Sequence, residues 1–113
     1  MNIRAGLVNG KFPYLKLINR RDGIGFKVEE SYILNGTKTI GRGNNNNIII
    51  QDPFMSSNHA SIIKEENGFF LKDIGSTNGT YINNHKIIHS CVKLKNGDKI
   101  QFGKLTFLFV DDV

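Results

Sequence analysis

A single cysteine, two prolines and the absence of any long apolar run set the first limits on this chain of 113 residues. Cys91 has no partner for an intrachain disulfide. The fold must therefore stand on its core, and the chain reads as intracellular, nuclear or cytoplasmic, with the nucleus slightly favoured. The longest apolar runs, such as Ile48–Ile50 and Leu105–Val110, fall far short of the roughly 18 residues that a membrane helix needs. Met1–Gly10 holds no secretory apolar segment. Few prolines and no long featureless stretch exclude a mainly disordered chain. No window carries a clean 3.6-residue stripe, which argues against helices. Basic residues exceed acidic ones by 15 to 10, but no run of five occurs. The resulting charge of +5 favours anionic partners in general and chooses none. Nucleic acid is disfavoured, because the interleaved aromatic and basic pattern of a stacking platform is missing.

What is present points to strands. Hydrophobic residues make up 39% of the chain, enough for one core. Asn-Gly occurs five times and Asp22-Gly23 adds a sixth turn signal, and both pairs tolerate the positive φ of tight hairpins. Between them lie short runs of Ile, Val, Phe, Tyr and Leu, many alternating at period two: residues 14–18, 47–50, 60–64, 69–74, 80–82, 99–102 and 105–110. Frequent short strands with turns every ten or so residues mean an all-β sandwich or barrel. A sandwich with its functional loops at one end fits best. Residues 1–12 read as a flexible lead-in and 13–113 as one domain, with no internal linker and no repeat. The tract Asn44–Asn47 is polar but too short to make a disordered region, and the chain's abundance of Asn, Ile and Lys reads as a compositional habit that says nothing about function.

Three loop segments share one chemical competence. Thr39-Ile40-Gly41-Arg42-Gly43 places an arginine between glycines at a strand end. Ser56-Ser57-Asn58-His59 follows a proline-containing loop, and Gly75-Ser76-Thr77-Asn78-Gly79-Thr80 is a turn of small polar residues. Together they supply a guanidinium, several hydroxyls, an amide and open backbone N–H groups, a set suited to a phosphate monoester.

Gly41-Arg42, Ser56-x-x-His59 and Asn78-Gly79-Thr80 resemble, in order and spacing, the signature of the forkhead-associated (FHA) family, and the stretches 71–83 and 94–103 extend the likeness. The resemblance covers residues 38–110; the part before them fits only as two weak strands. It implies an eleven-stranded β-sandwich that binds phosphothreonine in an extended peptide, with no catalysis and no cofactor, acting as a monomer. By matching position, Arg42 and the Ser56 hydroxyl would bind the phosphate and Ser57 would face it. Thr77 would line the phosphate site and the slot for the threonine methyl, and Asn78 would hold the peptide backbone. Gly41, His59 and Gly79 would be loop scaffold. Ser57 and Asn58 stand where relatives are frequently basic, so binding would lean on Arg42. Phe54 and Met55 are either core or contacts for a ligand side chain downstream of the phosphothreonine. A phosphate-independent interaction domain is the alternative reading, and retention of Arg42, Ser56 and Asn78 together argues against it. His85 and His89 lie four apart without the helix or further ligands that a metal site requires. Gly23-Ile24-Gly25 lacks the third glycine of a dinucleotide site. Asn35-Gly36-Thr37 and Asn78-Gly79-Thr80 are glycosylation sequons only by coincidence. Ser56 and His59 lack the orienting acid of a hydrolase.

Overall fold

The computed structural model describes residues 12–20 and 30–111. The expected lead-in, apart from Phe12, and the turn signals at Asn9-Gly10 and Asp22-Gly23 lie outside them. Among the described residues eleven strands form: β1 (Tyr14–Arg20), β2 (Ser31–Ile33), β3 (Lys38–Gly41), β4 (Ile48–Ile49), β5 (Ala60–Glu65), β6 (Gly68–Asp73), β7 (Thr80–Ile82), β8 (His85–Lys86), β9 (Val92–Lys93), β10 (Lys99–Phe102) and β11 (Leu105–Val110). They make two sheets, one in the order β2-β1-β11-β10-β7-β8 and one in the order β4-β3-β5-β6-β9. All pairings are antiparallel except β3 with β4.

The period-two pattern is what makes a sandwich out of these strands, because alternate side chains must find a common interior. Ile100 and Phe102 of β10 and Leu105, Phe107 and Phe109 of β11 point inward from one sheet. Ile40, Ala60, Ile62, Phe69 and Leu71 meet them from the other. Phe69 and Phe109 tilt together across the interior, with ring centroids 6.0 Å apart, and Phe102 packs on Phe107 at the same distance. Each fully buried side chain of this size contributes about 1.5–3 kcal/mol. A register shift between Leu17 and Asn19 bends β1 against β11. The β7–β8 hairpin turns on Asn83 and Asn84, whose φ values of 48° and 69° are both positive, as a tight two-residue turn demands.

The topology sets where the loops gather. β5 runs antiparallel to both β3 and β6. The end of β3, the start of β5 and the end of β6 therefore lie at one edge of their sheet. The three polar segments begin or finish at those points, and the β6–β7 segment crosses there to the other sheet.

Candidate functional site

The loop after β3 is tied to the loop before β5 by its backbone. Arg42 N–H donates to Ser56 C=O at 2.9 Å and Gly43 N–H donates to Ser57 C=O at 3.0 Å. So close an approach leaves no room for a side chain at Gly41. A Cβ there would stand 2.3 Å from the Ser57 carbonyl oxygen and 2.8 Å from Asn46 Nδ2. Glycine at position 41 is thus required by space. Asn46 completes the clamp, with its buried Nδ2 donating to Gly43 C=O at 2.9 Å and Ser57 C=O at 2.6 Å. Asn47 Oδ1 accepts from the Thr39 N–H at 2.8 Å. The Asn tract is therefore structural at two positions.

Asp52 organises the next loop. It is buried, and its Oδ1 accepts from Phe54 N–H at 2.9 Å while Oδ2 accepts from Lys104 N–H at 3.2 Å. This curls the chain so that Met55 enters the core while Phe54 stays outside, with the Lys104 ammonium 4.5 Å from the centre of its ring. The two apolar residues thus divide between the core and the rim.

His59 joins the second loop to the third. It is fully buried and packs edge-on against Phe102. Ser56 N–H donates to Nδ1 at 3.1 Å, and Nε2 lies 2.9 Å from Gly79 C=O. A carbonyl only accepts, so the proton sits on Nε2 and the ring is neutral. Burial lowers the pKa from the ordinary 6.5, outweighing the bond to Gly79 and the nearby Asp73 and Asp52 charges, which act the other way.

Asp73 holds the third loop. Its Oδ1 accepts from the N–H groups of Gly75 and Ser76, each at 2.9 Å, and its Oδ2 accepts from the hydroxyls of Ser76 and Thr80. Burial works to raise its pKa, but these hydrogen bonds prevail and bring it down to about 2. Ser76 Oγ in turn accepts from Gly79 N–H at 2.9 Å. The left-handed residue of this turn is Gly79, at φ +92°, rather than Asn78.

Above this frame, Arg42, Ser56, Ser57, Thr77 and Asn78 line one open hollow of about 320 Å³, together with Pro53, Phe54 and Met55. All five residues expected at the site are brought together. Arg42 is the only charged side chain in the lining. Its Nη1 lies 3.5 Å from Pro53 C=O, the outer limit of a hydrogen bond. Among the described residues no carboxylate lies within 4.0 Å of it. Ser56 Oγ accepts from Thr77 N–H at 2.9 Å, so its own hydrogen remains to donate outward. Asn78 Nδ2 donates to Phe54 C=O at 3.0 Å, which leaves its second N–H and its carbonyl oxygen. The hollow is thus a set of fixed, largely uncommitted donors around one cation, an arrangement that suits a dianionic tetrahedral group. Asn46, Asp52 and Asp73 are the residues that sequence reasoning missed. Among the described residues no group of His, Cys, Asp and Glu is gathered to hold a metal.

A family model described as "FHA domain" matches residues 38–103. Among curated proteins, the chain is 33% identical over 75 residues to an oxoglutarate dehydrogenase inhibitor of Corynebacterium diphtheriae, covering 66% of this chain and 51% of that protein. It is 37% identical over 70 residues to the glycogen accumulation regulator GarA of Mycobacterium tuberculosis, covering 62% and 42%. The chain thus spans about half the length, or less, of these curated relatives. A solved structure described as a "structural and functional analysis of phosphothreonine-dependent FHA domain interactions" superposes with a TM-score of 0.73 at 29% identity, covering 89% of this chain and 97% of that one.

Proposed function

This chain belongs to the FHA domain family, and from that premise we propose that it is a non-catalytic reader of phosphothreonine, recruiting a partner protein after a kinase has acted. One observation supports this above the rest. Arg42, Ser56, Ser57, Thr77 and Asn78, drawn from three separate loops, line a single hollow with one unpaired guanidinium. Arg42 would neutralise the phosphate, Ser56 would donate its hydroxyl and Ser57 would flank it. Thr77 would meet the threonine methyl, and Asn78 would bond the ligand backbone with the N–H and C=O it has left. Gly41, His59 and Gly79 would act from beneath. We propose one FHA domain over residues 13–113. Its setting is intracellular, where phosphorylated partners are made; the slight preference for the nucleus gains no support from these relatives, which are bacterial.

The test is calorimetric titration of a matched peptide pair, one carrying phosphothreonine and the other threonine. The phosphorylated peptide is expected to bind and its partner to show no measurable heat. A phosphate carries about −1.5 to −2 charges at neutral pH, so equal binding of the two peptides would show that the hollow serves another ligand.

A further inference from the structure

The described residues hold four of the chain's five Asn-Gly pairs, and the fold treats them differently. Such a pair can rearrange by itself. The glycine nitrogen attacks Cγ of the asparagine side chain, the Cγ–Nδ2 bond breaks, and the amide leaves as ammonia with the hydrogen the glycine nitrogen gave up. Water then opens the resulting succinimide ring on either side, giving aspartate or isoaspartate. Glycine favours the closure because no Cβ crowds the attacking nitrogen. A glycine N–H already bonded to an acceptor must break that bond first. At Asn35-Gly36 nothing holds the reaction back: Asn35 is exposed, and Gly36 N–H has no protein acceptor among the described residues. At Asn96-Gly97 both reacting groups are tied down by backbone. Gly97 N–H donates to Phe109 C=O at 2.8 Å, and Asn96 Oδ1 accepts from Asp111 N–H at 2.9 Å.

Asn78-Gly79 stands at the mouth of the hollow, with Asn78 exposed and Gly79 buried beneath it. Here the work falls to one hydroxyl and one carbonyl. Gly79 N–H donates to Ser76 Oγ at 2.9 Å, and Asn78 Nδ2 donates to Phe54 C=O at 3.0 Å. Ser76 Oγ is itself fixed, because its own hydrogen goes to Asp73 Oδ2. Ser76 is not among the residues that line the hollow of Arg42, and the phosphothreonine reading gives it no task. We infer that Asn78-Gly79 is a latent deamidation site held shut by the Ser76 hydroxyl, and that its opening switches the binding site off. Deamidation exchanges the Asn78 amide for a carboxylate in the lining that also holds Arg42. That carboxylate repels a phosphate dianion and competes with it for the guanidinium. The loss of binding rests on the phosphothreonine reading, whereas the chemistry at Asn78 stands without it.

The test is to age the 113-residue chain in mildly alkaline buffer and follow each pair by peptide-mapping mass spectrometry. Cleavage after Lys and Arg leaves every Asn-Gly pair on its own peptide. A hydrogen bond that must open first slows closure by about two- to tenfold. Asn35 is expected to deamidate as fast in the native chain as in denaturant, and Asn78 and Asn96 about tenfold more slowly than Asn35. In Ser76→Ala the rate at Asn78 should rise about two- to tenfold while Asn96 keeps its own. Three results would each overturn the inference: native Asn78 reacting as fast as Asn35, no rise at Asn78 in Ser76→Ala, or an equal rise at Asn96. The last would mean that the hydroxyl holds the whole fold rather than this one bond. The consequence for binding is read separately, by titrating a phosphothreonine peptide into Asn78→Asp, where affinity should fall about tenfold or more. Affinity equal to the parent's overturns the switch and leaves phosphothreonine reading intact. If the parent itself does not prefer the phosphorylated peptide, the phosphothreonine reading falls and the switch falls with it, while the deamidation rates still decide the role of Ser76.

Discussion

Arg42, Ser57, Thr77 and Asn78 at the mouth of the first hollow are exposed and keep hydrogen-bonding capacity in reserve, whereas Asn46, Asp52, His59 and Asp73 beneath them are committed to the protein. The two layers are only two to five residues apart in sequence. The lower one fixes three loops from two sheets into one shape before a ligand arrives, so little ordering remains to oppose binding. Because of that support, the upper layer can remain uncommitted without becoming loose. Substitutions in the two layers should therefore fail in different assays.

The sharpest contrast is between neighbours. Arg42→Ala removes the only cation lining the hollow and should weaken phosphopeptide binding by about 2–5 kcal/mol, which abolishes detectable binding from a micromolar start. Its melting temperature should stay close to that of the parent, because the guanidinium holds little of the fold together. Gly41→Ala forces a Cβ against the Ser57 carbonyl oxygen and should cost about 1–3 kcal/mol of stability. Calorimetry and thermal melts on both variants check this. A large loss of stability in Arg42→Ala would erase the distinction between the layers.

His59→Ala attacks the lower layer at its centre. It leaves Ser56 N–H and Gly79 C=O without their partner, each worth about 1–3 kcal/mol when buried, and it opens a void beside Phe102. The expected loss is about 3 kcal/mol of stability in a denaturant titration, with binding weakened as a consequence. Stability equal to that of Arg42→Ala would remove His59 from the scaffold.

The upper layer was legible in the sequence because its residue types are few and specific to phosphate, and they occur in one order. An Arg between glycines, a Ser-x-x-His and an Asn-Gly-Thr each imply a loop, and alternating strands imply that loops collect at sandwich ends. The lower layer was mostly illegible. Asn46 is one of four identical residues, and only packing decides which of them turns inward. Asp52 and Asp73 drew no reading because the backbone N–H groups and hydroxyls that saturate them come together only on folding. Strands β8 and β9 have two residues each, too short for any period to show. The scaffold role expected of His59 came only from the family resemblance.

A smaller effect separates phosphothreonine from phosphoserine. Burying one methyl is worth about 0.8 kcal/mol, roughly fourfold. β-Branching also restricts the ligand's χ1 and reduces the entropy lost on binding. Together these should give about a tenfold preference, or about 1.4 kcal/mol. A peptide pair differing only in that methyl, titrated at one salt concentration, measures it. Equal affinities would withdraw the slot assigned to Thr77.

The smallest expected effect is the pH dependence, where two groups of the lower layer titrate in different windows. His59 has a folded pKa below the ordinary 6.5, so in mildly acidic solution the unfolded chain binds more protons than the folded one. Its contribution to stability is complete above about pH 6.5 and declines as pH falls toward the folded value. Asp73, at about 2 against an ordinary 3.8, behaves alike at lower pH. Its contribution is complete above about 3.8 and is lost as pH falls through 2. The ligand phosphate, with a second pKa near about 6, loses charge in the first window, so binding should weaken there as well. The two effects in that window can be distinguished by substitution. In Arg42→Ala the stability slope between about pH 5 and 7 should match that of the parent, because the scaffold is untouched. In His59→Ala the part of that slope due to the imidazole should disappear. Denaturant titrations of the three proteins at several pH values measure the slopes. An unchanged slope in His59→Ala would show that the buried imidazole is not the group that titrates, and the neutral, two-bonded state assigned to it would have to be given up.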